Sequence, residues 1–266
     1  DAYIRTSSRA TSLFPDPARR SRLWLIGQKG VCALKYIALI AVAFVALSVP
    51  ARADFREGYA AYQSGDYPAA AREFAALANE GDARAQFNLG VMYDKGEGVP
   101  QDYAEAAKWF RKAAEQGLAV AQTNLGVYFQ RGKGVAQDYE KAAEWYRKAA
   151  EQDYATAQYN LGVLFEIGKG VAQSDVDAAE WYRKAAEQDN ATAQYNLGAL
   201  FQRGKGVPQD DVKAHMWFNL AAAKLLRGDA RAKAVRNRRL TAERMTPEQI
   251  AVAQKLALEW HAQHRE

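Results

Sequence analysis

The sequence predicts an all-α solenoid of antiparallel helix pairs. Four stretches of 36 residues align without a gap, each holds two apolar runs at helical spacing, and a glycine-rich break separates the runs. A hairpin of this kind cannot bury its own apolar stripe, so its stability has to come from stacking on the next one.

The chain opens with a leader. Residues 1–53 carry eight Lys and Arg residues against two acids, which leaves 28 bases against 29 acids in the other 213 residues. The basic balance of the whole, net +5, therefore belongs to the leader and does not mark the body as nucleic-acid binding. Tyr36 to Val49 is an apolar run, preceded by Lys29 and Lys35 and followed by Ala51-Arg52-Ala53. Basic, apolar, then A-x-A is the layout of a secretory signal, with cleavage expected after Ala53. As a helix the run rises about 21 Å, short of a hydrocarbon core of roughly 30 Å. Export follows, to the periplasm or outside the cell, with membrane contact only in transit; an uncleaved anchor is the alternative. The long stretch ahead of the run places the translation start at a codon such as that of Leu23 or Val31. The sole cysteine, Cys32, lies in the leader, so the body can form neither a disulfide nor a thiolate metal site.

Residues 54–81 read as one helical hairpin broken at Ser64-Gly65-Asp66. The four repeats follow as 82–117, 118–153, 154–189 and 190–225. Gln86, Gln122, Gln158 and Gln194 keep the 36-residue step, as do Leu89-Gly90, Leu125-Gly126, Leu161-Gly162 and Leu197-Gly198, and Trp109, Trp145, Trp181 and Trp217. In the second repeat, Ala121, Leu125 and Phe129 form one helical stripe. Gly132-Lys133-Gly134 then ends the helix, because glycine is costly inside a helix and favourable in left-handed turns. Asp138 caps a second helix whose stripe runs through Tyr139, Ala142, Ala143, Tyr146, Ala149 and Ala150. Gly126 and the alanine pairs let helix axes approach, while Phe129, Trp145 and Tyr146 fill the wider gaps between units.

After Leu225 the repeat dissolves. Ala230 to Arg244 reads as a basic helix, and Thr246-Pro247-Glu248-Gln249 announces a last helix to about His261. Residues 226–266 thus form a C-terminal cap with a polar outer face. Residues 224–266 hold ten bases and five acids, against eighteen and twenty-four in residues 54–223, so charge separates along the chain.

The pattern A-x-A-Q-F/T/Y-N-L-G-x-x-Y/F, then G-K/E-G-V-x-Q-D, then A-A-x-W-F/Y-R-K-A-A-E-Q resembles the Sel-one-like repeat, a relative of the tetratricopeptide repeat with a longer turn between helices. Residues 54–81 resemble an ordinary tetratricopeptide unit, and the Met-Thr-Pro-Glu-Gln-Ile ending resembles the tail of exported bacterial members. The resemblance implies a right-handed superhelix that serves as an adaptor for a protein or an extended peptide. In the related tetratricopeptide fold the first helix of each pair lines a concave groove. Aligning on the Leu-Gly step makes Phe87, Thr123, Tyr159 and Tyr195 exposed groove positions. Asp94, Gln130, Glu166 and Gln202 form a second row, and Lys95, Arg131, Ile167 and Arg203 a third. These positions vary among copies while the packing positions do not, as expected of residues that meet a partner.

The residues suited to catalysis are few. His215 replaces the alanine found at Ala179, and His261 and His264 sit close to the C-terminus. The Gly-Lys-Gly turns lack the preceding strand and the Lys-Ser/Thr pair of a phosphate loop, and read as connections between helices. Arg236-Asn237-Arg238-Arg239 lacks the interleaved aromatics of a nucleic-acid surface. The expectation is a non-enzymatic scaffold with no cofactor, no metal and no nucleic-acid partner. The alternatives are a cell-envelope hydrolase or β-lactam-interacting enzyme of the secreted branch, whose cysteines this chain lacks, and a membrane-tethered assembly factor. Oligomeric state and partner identity are not encoded in any motif.

Overall fold

The computed structural model of the chain describes residues 54–264. The expected signal peptide, its cleavage after Ala53 and the rest of the leader lie outside the described residues. Among the described residues there are twelve helices and no strand. An N-terminal hairpin, α1 (Phe55–Ser64) and α2 (Tyr67–Asn79), precedes four longer ones: α3 (Ala83–Lys95) with α4 (Tyr103–Glu115), α5 (Ala119–Arg131) with α6 (Tyr139–Ala150), α7 (Ala155–Ile167) with α8 (Asp175–Glu187), and α9 (Ala191–Arg203) with α10 (Asp211–Lys224). Each helix packs on the one before it and the one after it, which makes the body an all-α repeat solenoid. Two further helices, α11 (Asp229–Ala242) and α12 (Pro247–Gln263), both pack on α10.

The second helices begin where an oxygen-bearing side chain satisfies free backbone N–H groups. Asp102, Asp138 and Asp210 accept from Glu105, Lys141 and Lys213 N–H, and Ser174 does the same for Asp177 N–H. The expected cap at Asp138 is thus present. The first helices end in left-handed glycines, Gly96, Gly132, Gly168 and Gly204.

Inside each unit, the glycine of the Leu-Gly step makes room for an aromatic ring on the second helix. A Cβ on Gly90, Gly126, Gly162 or Gly198 would stand 2.8, 2.6, 2.8 or 3.0 Å from the ring of Phe110, Tyr146, Tyr182 or Phe218. These four rings are essentially inaccessible to solvent. Between units, the second glycine of each Gly-x-Gly turn lies against the opening residue of the preceding unit's second helix. A methyl group on Gly98, Gly134, Gly170 or Gly206 would overlap the carbonyl of Tyr67, Tyr103, Tyr139 or Asp175. The residue between the glycines reaches the same helix start: Lys133 lies 4.1 Å from the Tyr103 ring and Lys169 4.7 Å from the Tyr139 ring. The lysine of the Gly-Lys-Gly turn is thereby occupied in packing.

The repeated glutamines form the polar counterpart of this join. Gln86, Gln122, Gln158 and Gln194 are buried, and each donates its Nε2 to a carbonyl at the end of the preceding second helix (Ala78, Ala114, Ala150, Ala186) at 3.0–3.2 Å. Gln116, Gln152 and Gln188 then donate to the side-chain oxygens of Gln86, Gln122 and Gln158 at 2.7–2.8 Å. The series stops at Gln194, whose Oε1 is buried without a partner, because Lys224 stands where a fourth donor would be and bonds Asp189 instead.

The tryptophans pack against the core, as expected of Trp145, but three of them keep one face outward. Trp109, Trp145 and Trp181 are half-buried, and their outer faces are covered by Lys112, Lys148 and Lys184 at 3.9–4.3 Å. In the last unit Leu220 replaces that lysine, Trp217 is buried, and the Trp260 ring of α12 meets it edge-on at 6.3 Å. The solvated lysine cover of the inner repeats is thus replaced at the end by an apolar one.

The glycine contacts predict a graded response. Gly117 also has positive φ but has open space around it. Gly134→Ala should destabilise the chain by about 2–4 kcal/mol and Gly117→Ala by only about 1 kcal/mol, read from urea denaturation midpoints. Equal losses would show that turn conformation alone, without the neighbour's carbonyl, sets the requirement.

Candidate partner-binding face

The groove assignment needs correction in its first row. Phe87 and Thr123 are buried, at 7% and 0% exposure, and so are not exposed groove positions. Phe87 packs on Phe110 at 5.7 Å, and Thr123 donates its hydroxyl to Ala119 O. Tyr159 and Tyr195 are half-buried with their rings 5.9 and 5.6 Å from Tyr182 and Phe218. The cause is the Leu-Gly step itself. The glycine draws the second helix's ring so close that the residue three before it is pulled onto the ring's edge. Tyr195 has a further partner, since its hydroxyl accepts from Asn237 of α11 at 3.1 Å.

The second row is engaged between elements. Gln130 accepts from the Tyr146 hydroxyl at 2.5 Å, Glu166 accepts from the Tyr182 hydroxyl at 2.6 Å, and Gln202 donates to Thr241 of α11 at 3.0 Å. Asp94 accepts from the Tyr128 hydroxyl and pairs with Lys133 at 2.6 Å. Burial and these carboxylates push the Tyr128 and Tyr182 phenols well above their ordinary value, so both act as fixed proton donors within the framework.

Only the third row lies open as expected. Arg131 and Arg203 are exposed and carry no ion pair among the described residues. Ile167 is 48% exposed, and Lys95 is exposed with its ammonium 3.1 Å from the Tyr62 hydroxyl. The stripe that continues this row along the helices was not foreseen. It runs through Arg84, Asn88 and Val91 on α3, Val120, Asn124 and Val127 on α5, Thr156, Asn160 and Val163 on α7, and Thr192 and Asn196 on α9, all exposed or half-exposed. Helical angles measured from Gly90 would have found it, because the residues one turn either side of Asn88 point away from the ring that Gly90 receives. Two of the four asparagines have a local partner, Asn88 and Asn124 donating to the carbonyls of Arg84 and Val120 one turn back on their own helices, whereas Asn196 reaches the Tyr182 hydroxyl of the preceding unit.

The histidines are placed as framework groups. The His261 and His264 rings both lie against Trp260, at 5.6 and 4.1 Å. Among the described residues no group of three or more His, Cys, Asp or Glu side chains could hold a metal ion. His215 is buried in α10 and its Nδ1 has no hydrogen-bond partner.

The sequence profile of the Sel1 repeat matches residues 83–118, 119–154, 155–190 and 191–224, more than half of the chain. The chain belongs to the Sel1 repeat family. Its Sel1 units are similar to those of a protective antigen of uropathogenic Escherichia coli that displays an SLR fold, at 37% identity and a TM-score of 0.69, over 78% of this chain and 44% of the antigen. A Sel1 repeat protein from Oxalobacter formigenes is 36% identical with a TM-score of 0.60, over 63% of this chain and 66% of that one. This Sel1 chain therefore spans less than half the length of the antigen and about two thirds of the other protein. No curated protein matches it. Sel1 repeats typically mediate protein–protein interactions, and the fold is generally a non-enzymatic scaffold.

His215 makes stability depend on pH. Burial, with the Arg238 guanidinium nearby, holds its imidazole below the ordinary 6.5. As pH falls the unfolded chain therefore takes up the proton first, so this contribution is complete above 6.5 and is lost below it. His215→Ala, which restores the alanine of the other units, should flatten the fall in urea midpoint between about pH 7 and pH 5. An unchanged slope in the variant would mean that other groups cause it.

Proposed function

We propose that this Sel1 protein is an exported, non-enzymatic scaffold that holds a protein or an extended peptide along the open face of its first helices. The observation that supports this most is the division of labour on those helices. Their inner faces are filled by the aromatic rings and glutamine bonds that join the units, whereas the asparagines and valines of the outer stripe keep part of their surface open and the Arg131 and Arg203 guanidiniums pair with no acid among the described residues. A regularly spaced face of half-exposed valines, asparagines and arginines offers apolar area with polar groups beside it, the composition that anchors partners. Export is supported by the apolar run from Tyr36 to Val49 and the A-x-A site that ends at Ala53.

Crosslinking in the producing cell tests both halves. The processed chain should begin at Asp54, fractionate with the periplasm or medium, and give a specific crosslinked partner. Val127→Glu with Val163→Glu should abolish that crosslink and cost about 1–3 kcal/mol in urea denaturation without unfolding the chain, because both side chains are half-exposed and pack on the core by one side only. A crosslinked partner retained at full yield by this variant would place binding elsewhere on the surface.

A further inference from the structure

The charges on the open face are unevenly matched. The first helices α3, α5, α7 and α9 carry Arg84, Lys95, Arg131 and Arg203 as bases and Asp94 and Glu166 as acids. Both acids are engaged inside the framework, by Tyr128 with Lys133 and by Tyr182. Arg84 pairs with Asp82 at 3.4 Å and Lys95 reaches Tyr62 and Glu97, but Arg131 and Arg203 have no acid to meet. They occupy equivalent places two units apart, and the equivalent residue of the unit between them is the exposed Ile167. The bonds that Tyr195 accepts from Asn237 and that Gln202 donates to Thr241 set α11 beside α9, and α11 carries the exposed bases Lys233 and Arg236.

We propose that the open face binds an extended acidic polypeptide segment in which two carboxylates meet Arg131 and Arg203 and an apolar side chain midway between them meets Ile167. This rests on the scaffold reading above. Taking an advance of about 10 Å per unit, of the order of the spacing between packed helices, and about 3.3 Å per residue of an extended chain, each unit corresponds to about three residues of the segment. The two carboxylates are then about six residues apart, with the apolar residue about three from each. Guanidinium recognises carboxylate through paired N–H donors, and a row of half-exposed valines accepts small side chains between the anchors. A nucleic acid fits this face poorly. The first-helix tyrosines that could stack on bases, Tyr159 and Tyr195, are turned onto Tyr182 and Phe218, and two free guanidiniums across three units are too sparse to follow a phosphate chain.

The test is fluorescence anisotropy with the full chain and a labelled peptide of sequence Glu-Ser-Ser-Leu-Ser-Ser-Glu. Arg131→Glu with Arg203→Glu should weaken binding by about tenfold or more, as should replacing both peptide glutamates by glutamine. The same variant should gain affinity for the peptide with Lys at both ends, and a spacer shortened by two serines should bind less well to the parent. No binding of the Glu peptide, or binding untouched by R131E/R203E, overturns the proposal. If the Gln and Glu peptides bind alike and V127E/V163E abolishes both, the acidic specificity falls while the scaffold reading stands. If oligothymidylate or phosphatidylglycerol vesicles bind in an R131E/R203E-sensitive way and the Glu peptide does not, the face recognises a different class of anion and the proposal is wrong.

Discussion

Each unit of the solenoid is joined to its predecessor at a point where backbone meets backbone, with the second glycine of a Gly-x-Gly turn resting on the first carbonyl of the preceding unit's second helix. Side chains cannot substitute there, because any Cβ would overlap that carbonyl, and the positive φ of the same residue disfavours every L side chain besides. The rest of the architecture follows from this approach. With the turn fixed on its neighbour, the buried glutamine of the next first helix comes within hydrogen-bond distance of the preceding helix's last carbonyls, and the lysine between the glycines falls over a tyrosine ring. Groups that would be costly to bury alone are satisfied across the join, which favours one spacing between units over looser alternatives.

The same constraint leaves the opposite side of the first helices with the lighter structural duty, its valines packing on the core by one side and Asn196 reaching the Tyr182 hydroxyl. Packing uses mainly the ring-facing and neighbour-facing sides, and one stripe remains partly open to solvent. Where the array ends, the framework changes to close itself. Lys224 interrupts the glutamine series, Leu220 and Trp260 replace the lysine that shields the earlier indoles, and α11 bonds to Tyr195 and Gln202. The open face is thereby bounded by a basic helix at its C-terminal end.

Much of this was legible in the sequence because the repeat exposes its own rules. The Leu-Gly step, the Asp138 cap and the alanine pairs each imply a close approach or a helix start, and each is found. The open stripe was less legible. The constant asparagines carry no signal of exposure in the pattern, yet Asn88 and Asn124 sit half-exposed and bond their own helix's backbone. Variation suggested a partner surface for Phe87, Thr123, Tyr159 and Tyr195, yet these follow the second-helix ring and the end cap they pack on. A one-residue error in helical phase turns a residue by about 100°, enough to exchange an inner for an outer side. The glutamine series depends on partners 30 residues apart, a separation that a pattern within one unit does not reveal.

The join between units is tested most directly by hydrogen exchange in the Gly170→Ala chain, resolved by segment. A methyl group at Gly170 meets the Tyr139 carbonyl, so protection should fall both in its own turn and in the first turn of α6, in the preceding unit. If the loss of protection stayed within residues 168–174 and left α6 unchanged, the units would not be held together by this contact.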